Sequence, residues 1–223
     1  GQLAAVVVMT VLYWVVARTR PRFAYDGAVT RELVRFGIPV TAVTLLAYAI
    51  YNVDYLAVGK RLGASELGLY TLAYRIPELV VLSLCVVVSE VLFSALSRLQ
   101  HDRESLTAHY MEALVVVVAL TAPIGIGLAV TARPLVATLY GGEYAGSAPI
   151  LSVLAVYTVV YSASFHAGDV FKAMGKPGIL TALNAGKLVV LVGPIWWAAG
   201  HSATLVAWAL LATEVVHFVV RMA

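Results

Sequence analysis

The feature that most constrains this chain is a succession of apolar runs, each long enough to cross a bilayer as a helix and each bounded by charge. About 20 apolar residues span about 30 Å of hydrocarbon. Seven such runs can be placed, at 2 to 17, 36 to 58, 67 to 96, 112 to 131, 148 to 171, 178 to 199 and 203 to 220. The stretches from Ala113 to Ala132 and from Tyr144 to Gly168 carry no charge at all. Val-rich pieces such as Val115 to Val118 could be strands locally, but the runs are too long and lack period-2 alternation. The expected fold class is therefore an all-α polytopic membrane protein, a bundle of about seven transmembrane helices. Composition agrees: 61% of the residues are hydrophobic and 12% charged, where a soluble domain has about 25% charged. Disorder, a secreted disulfide scaffold and nucleic-acid binding would need, respectively, high charge, several cysteines and clustered basic residues. None of these is present, and the single cysteine, Cys85, lies inside an apolar run.

Orientation follows from lysine and arginine, which are retained on the cytoplasmic side. Alternating the loops puts Arg18, Arg20, Arg22, Arg31, Arg35, Arg98, Arg103, Lys172, Lys176 and Arg221 on one side and Lys60, Arg61 and Arg133 on the other. The first side is read as cytoplasmic, so the C-terminus is cytoplasmic and the protein lies in the inner (plasma) membrane. The chain starts at Gly1 without a basic leader and ends at Ala223 directly after an apolar run, which reads as a piece of a longer polytopic protein. Its expected organisation is a helix at 1–17 ending an earlier lobe, a cytoplasmic connector at 18–35 and a six-helix lobe at 36–223. Within the connector, Thr30 to Phe36 alternates charged and apolar residues. That pattern suits either a short helix on an anionic leaflet or a solvated linker.

Ionisable groups at membrane depth are costly and turn toward a bundle interior or a wet cavity, so they mark the candidate site. They are Asp54, Arg75, Glu78, Glu90, His166, Asp169, Lys187, Glu214 and His217. If the sixth and seventh runs form a hairpin turning at Gly200 and His201, Lys187 and Glu214 both lie about 20 Å along their helices from the turn, at 1.5 Å per residue. They would then form a buried ion pair, or Lys187 would face a cavity and meet an anionic substrate. The same arithmetic brings Asp54 to within a turn of Arg75, which also has Glu78 at i,i+3. Arg75, Ser83, Glu90, Ser94 and Ser97 share about a third of their helix's circumference, a polar stripe that lines either a helix contact or water, with water favoured. On the fifth run Thr158, Ser162, His166, Asp169 and Lys172 share a face beside Tyr157 and Tyr161; His166 with Asp169 could hold a proton, although a lone membrane histidine is more often a satisfied hydrogen-bonding residue. No metal site, phosphate-binding glycine loop or nucleophile signature is found, so neither a cofactor nor catalysis is expected. Glycine and proline interrupt the runs at Gly37 and Pro39, Pro77, Pro123 with Gly125 and Gly127, Gly168, and Gly193 with Pro194. Transporter helices use such residues to bend and to pack closely.

Several segments resemble a known family. They are Asp54-Tyr-Leu-Ala-Val-Gly59, Arg61-Leu-Gly-Ala64 and Leu67-Gly-Leu-Tyr-Thr-Leu-Ala-Tyr-Arg75, then Leu139-Tyr-Gly-Gly-Glu-Tyr144 leading into Ala148-Pro149, and Phe165-His-Ala-Gly-Asp-Val-Phe-Lys172 with Gly175-Lys-Pro177. The chain is similar through them, over about Arg35 to Trp208, to Wzx-type oligosaccharide and lipopolysaccharide flippases of the MOP exporter superfamily. The resemblance implies two six-helix lobes around a cavity open alternately to either side, with this chain matching the last helix of the first lobe plus the second lobe. It implies transport of a polyprenyl-pyrophosphate-linked oligosaccharide across the cytoplasmic membrane, driven by an ion gradient, with membrane lipids and the N-terminal lobe of the same protein as partners and no nucleic acid. Cavity residues meeting substrate would be Arg75, Lys187, Glu90 and Ser83. Asp54, His166, Asp169 and Glu214 would serve ion or proton coupling. The rival readings are a MATE-like multidrug or cation antiporter, a membrane-embedded glycan-modifying enzyme, and a structural anchor in an envelope complex.

Overall fold

A computed structural model of the chain describes the backbone over residues 2–16, 27–99, 102–174 and 177–222. Every described apolar run is helical and none is a strand. The helices are α1 (Gln2–Val16), α2 (Gly27–Arg61), α3 (Ala64–Pro77), α4 (Ser83–Arg98), α5 (Arg103–Val130), α6 (Ala132–Leu139), α7 (Ser147–Ala173), α8 (Pro177–Ala198) and α9 (Ala203–Met222). All seven sequence runs find a helix. Among the described residues, five segments are long and apolar enough to cross a membrane: Ala64–Arg98, Glu104–Val130, Ser147–Phe171, Thr181–Ala198 and Ala203–Met222. The protein is thus an all-α, multi-pass membrane protein. As described, α1 is a shorter apolar helix of 15 residues, about 22 Å at 1.5 Å per residue.

Three features depart from the sequence reading. The helix around the second run begins at Gly27, so residues 27–35, expected as connector, are helical. Of the expected connector's basic residues, Arg18, Arg20 and Arg22 lie outside the described residues, as does Lys176. The expected loop between the fourth and fifth runs holds the short helix α6 and a 3₁₀ turn at Gly142–Tyr144. Finally, the third run is a single span interrupted after Pro77 by a π-helical turn over Glu78–Leu82. Proline supplies no N–H and crowds the carbonyl four residues back, and a widened turn accommodates both defects.

By its internal contacts the chain divides into two units, Gly1–Ala42 and Val43–Ala223, with the division falling inside α2. In the first, the apolar side chains of α1 such as Val6, Leu12 and Trp14 are exposed. The second is a helical bundle built around α7. This helix has 61% of its apolar stretch buried, against 44% or less in the other four spans, and it packs on α3, α4, α5, α6, α8 and α9. The core runs from Ala57 and Val58 on α2 through Tyr70 and Tyr74 on α3 and Leu151, Leu154 and Tyr157 on α7 to Leu191, Ile195, Val206 and Leu210. A second cluster joins Leu92 and Leu96 to Leu106, Tyr110 and Leu114 and to Ala163 and Ala167. Helix α5 approaches α7 closely at Gly125, where a Cβ would lie 2.2 Å from Val159 Cγ2 and 2.9 Å from the Ala155 carbonyl oxygen. Only a residue without a side chain fits there. Gly63 and Gly141 hold positive φ, +90° and +94°, at the turns that start α3 and the 3₁₀ turn. At the α2 end, Arg61 Nη1 donates to the Trp196 carbonyl oxygen at 3.0 Å, and the Arg61 and Lys60 cations lie 5.8 and 5.9 Å from the Trp196 ring centroid.

Candidate functional site

Within the second unit, α2, α3, α7, α8 and α9 enclose a cavity of about 260 Å³. Its polar lining comes from Tyr51 and Asp54 on α2, Tyr157 and Tyr161 on α7, Asn184 and Lys187 on α8 and Arg221 on α9. The hairpin arithmetic holds: Lys187 Nζ donates to Glu214 Oε2, and both side chains are buried, 5% and 1% exposed. Lys187 is both ion-paired and part of the cavity lining. Its ammonium also stands 5.5 Å from the Tyr161 ring centroid, a cation–π distance. Glu214 Oε1 lies 3.8 Å from His217 Nδ1, beyond hydrogen-bonding reach.

Asp54 is buried and takes its proton donor from α3, but the donor is Tyr70, whose hydroxyl lies 2.7 Å from Oδ2. Oδ1 has no partner. Tyr70 and Arg75 are five residues apart on α3, about 140° around a helix of 3.6 residues per turn, so the two side chains leave the helix in different directions. Arg75 and Glu78 are exposed, and Arg75 makes no ion pair among the described residues. With Ser83 they line a second, more open recess of about 620 Å³. Tyr51, Tyr161 and Phe165 border both spaces, and the hydroxyls of Tyr51 and Tyr161 are hydrogen-bonded to each other. This partition divides the expected site into Lys187, Glu214 and Asp54 on one side and Arg75 with Ser83 on the other. Glu90 falls on α4, and its side chain, like those of Lys172, Arg35 and Arg103, lies outside the described residues.

His166 and Asp169 are both buried on α7 but do not share a hydrogen bond. His166 Nδ1 lies 2.8 Å from the Ser162 carbonyl oxygen, and its Nε2 has no partner. Asp169 Oδ2 accepts from Ser89 Oγ at 2.6 Å, a link from α7 to α4. Spacing of i,i+3 put the two side chains on one face, yet the backbone carbonyl one turn back satisfies the imidazole first. Among the described residues no group of three His, Cys, Asp or Glu side chains could hold a metal.

Two features of the cavity escaped the sequence reading. Arg221, counted there only as an orientation marker, reaches back into the bundle: Nη1 donates to the Ser164 carbonyl oxygen at 2.6 Å and Nη2 to Asn184 Oδ1 at 2.8 Å. The signal was in the spacing, because Arg221 lies seven residues, two turns, after Glu214 and Asn184 lies three before Lys187. The other is a tyrosine chain, with Tyr55, Tyr70, Tyr74, Tyr157 and Tyr161 in ring contact at centroid separations of 5.5 to 6.4 Å. Tyr55 meets Tyr70 edge to face, at an interplanar angle of 88°, and the other pairs are tilted.

A sequence profile of the polysaccharide biosynthesis protein family matches residues 1–149. Among curated proteins, the teichuronic acid biosynthesis protein TuaB of Bacillus subtilis is 26% identical over 214 residues, covering 94% of this chain and 44% of that protein. The lipopolysaccharide biosynthesis protein WzxC of Escherichia coli is 27% identical over 197 residues, 87% of this chain and 40% of its own length. The succinoglycan biosynthesis transport protein ExoT of Rhizobium meliloti is 29% identical over 181 residues, 80% of this chain and 36% of its own. The chain therefore spans less than half the length of these relatives. No solved structure matches it significantly.

Proposed function

The chain belongs to the polysaccharide biosynthesis protein family, and from that membership we propose that it is the C-terminal lobe of a Wzx-type flippase that moves a polyprenyl-pyrophosphate-linked oligosaccharide across the bacterial cytoplasmic membrane. The observation that carries the reading is the set of ionic groups held inside an apolar bundle around a cavity, Lys187, Glu214, Asp54 and Arg221. A helix bundle that served only as an anchor gains nothing from such groups, which are costly at membrane depth. The excess of lysine and arginine in alternate loops supports a cytoplasmic C-terminus. An N-terminal lobe completes the second wall of the transport path, which agrees with a match covering under half of each relative. The protein is a carrier and not an enzyme.

Within this reading Arg75, Ser83 and Lys187 face the substrate path, and Asp54, His166, Asp169 and Glu214 serve coupling. Formal charge around the cavity balances, Lys187 and Arg221 against Asp54 and Glu214, so charge alone does not separate a lipid-phosphate carrier from a cation antiporter. The similarity to the polysaccharide biosynthesis proteins TuaB, WzxC and ExoT favours the former. The test is deletion of the whole gene. Lipid-linked oligosaccharide accumulating on the cytoplasmic face supports the reading, and normal surface polysaccharide with no accumulation refutes it.

A further inference from the structure

Local charge accounting singles out one cation. Lys187 is matched by Glu214, and Asp54 is held by Tyr70. Arg221 is fixed by two neutral acceptors, the Ser164 carbonyl and Asn184 Oδ1, and among the described residues no carboxylate lies within ion-pair distance of it. Asp54 cannot reach it. Arg61, at the end of α2, touches Trp196 beside the α8–α9 turn, so both helices can be measured from that end. Asp54 lies about 10 Å and Arg221 about 27 Å along them, at 1.5 Å per residue. A guanidinium carries five donors in a planar fork. Two are spent here, and Nε is buried without a partner. The group lines the cavity with its orientation preset by α7 and α8, as bidentate recognition of a planar or tetrahedral oxyanion requires.

We infer that Arg221 is the residue of this cavity that binds a phosphate oxyanion, and that Glu214 restricts the site to Arg221 by neutralising Lys187. The inference deepens the proposed flippase reading and rests on it: the ligand is a diphosphate, borne on a prenyl lipid or free in water. Neutral acceptors matter to the argument. A carboxylate in place of Asn184 would bind the same Nη2 and cancel the charge, so the side chain present ties three helices together without quenching the cation.

The test uses full-length protein in detergent, titrated calorimetrically with inorganic pyrophosphate and, separately, with farnesyl diphosphate. Asn184→Asp keeps the hydrogen bond to Arg221 and neutralises it in place, so it should weaken diphosphate binding about tenfold or more, the value of one charge-assisted hydrogen bond. Arg221→Gln should do the same. Glu214→Gln, which releases Lys187 as a second cation, should tighten binding. Binding of both probes points to the headgroup alone as ligand, and binding of farnesyl diphosphate only points to a lipid-borne source. Either supports the inference if Asn184→Asp weakens that binding about tenfold or more. Wild-type affinity in folded Asn184→Asp, or no binding of either probe to wild type, overturns it. The first of these outcomes leaves the flippase reading intact, because the gene-deletion phenotype is independent of Arg221.

Discussion

Breaking the Lys187–Glu214 pair one side at a time should cost far more than removing it whole. Both side chains are almost fully buried, and a buried charge stripped of its partner costs about 3–5 kcal/mol, whereas replacing the pair by apolar residues of similar volume is often neutral or stabilising. The two single losses are not equal. Lys187→Met strands a Glu214 carboxylate that is 1% exposed and lies off the cavity wall, so its cost belongs near the top of that range. Glu214→Leu strands an ammonium that lines the cavity and can draw on water there, so its cost belongs near the bottom. With the Lys187→Met/Glu214→Leu double variant within about 2 kcal/mol of wild type, the cycle yields a coupling energy of about 6 kcal/mol or more. Reversible unfolding of the full-length protein in bicelles, by steric trapping, measures all four corners. Single-variant losses that add in the double variant would show that the two charges do not sense each other and would refute the buried pair.

Gly125→Ala puts a methyl group into Val159 and the Ala155 carbonyl, and overpacking of this kind costs about 1–3 kcal/mol; the same unfolding assay should show the loss, with Gly127→Ala, which meets no atom within 4 Å, as the silent neighbour. At the start of α5, Asp102 caps the helix by accepting from the Glu104 and Ser105 amides, both at 3.1 Å, and from Ser105 Oγ at 2.7 Å. Those Ser105 hydrogen bonds hold its carboxyl below the usual carboxylate range. A depressed folded value means that the cap is fully present above the unfolded value of about 3.9 and is lost as pH falls through the folded one. Asp102→Ala should therefore speed hydrogen exchange at Glu104 and Ser105 at neutral pH, and wild type should lose that protection only in acid. Ser83→Cys in a Cys85→Ser background should react with a water-soluble thiol reagent, because Ser83 is exposed and lines the larger recess; complete protection would mean that the recess is filled with lipid.

Helices and their places were legible because the bilayer imposes length and apolarity on every spanning segment, and these are properties of sequence alone. Depth was legible too: counting residues from the Gly200 turn found the partner of Lys187. Azimuth was not. The same counting set Asp54 beside Arg75, and Tyr70 intervened because packing of α2 on α3 fixes which face each presents. His166 and Asp169 share a face yet bond elsewhere, since a Ser162 carbonyl and the Ser89 hydroxyl compete for them. Arg221 illustrates the opposite failure. A basic residue at a helix end satisfies the positive-inside rule, and that sufficient explanation hid a side chain that turns inward to Asn184.

The most direct measurement of the central claim is translocation of a fluorescent polyprenyl-pyrophosphate oligosaccharide in liposomes holding the purified full-length protein, read by a membrane-impermeant quencher. The account predicts protein-dependent loss of the inner-leaflet pool, slowed by Arg221→Gln. Leaflet exchange no faster than in protein-free liposomes, under any imposed ion gradient, would contradict it.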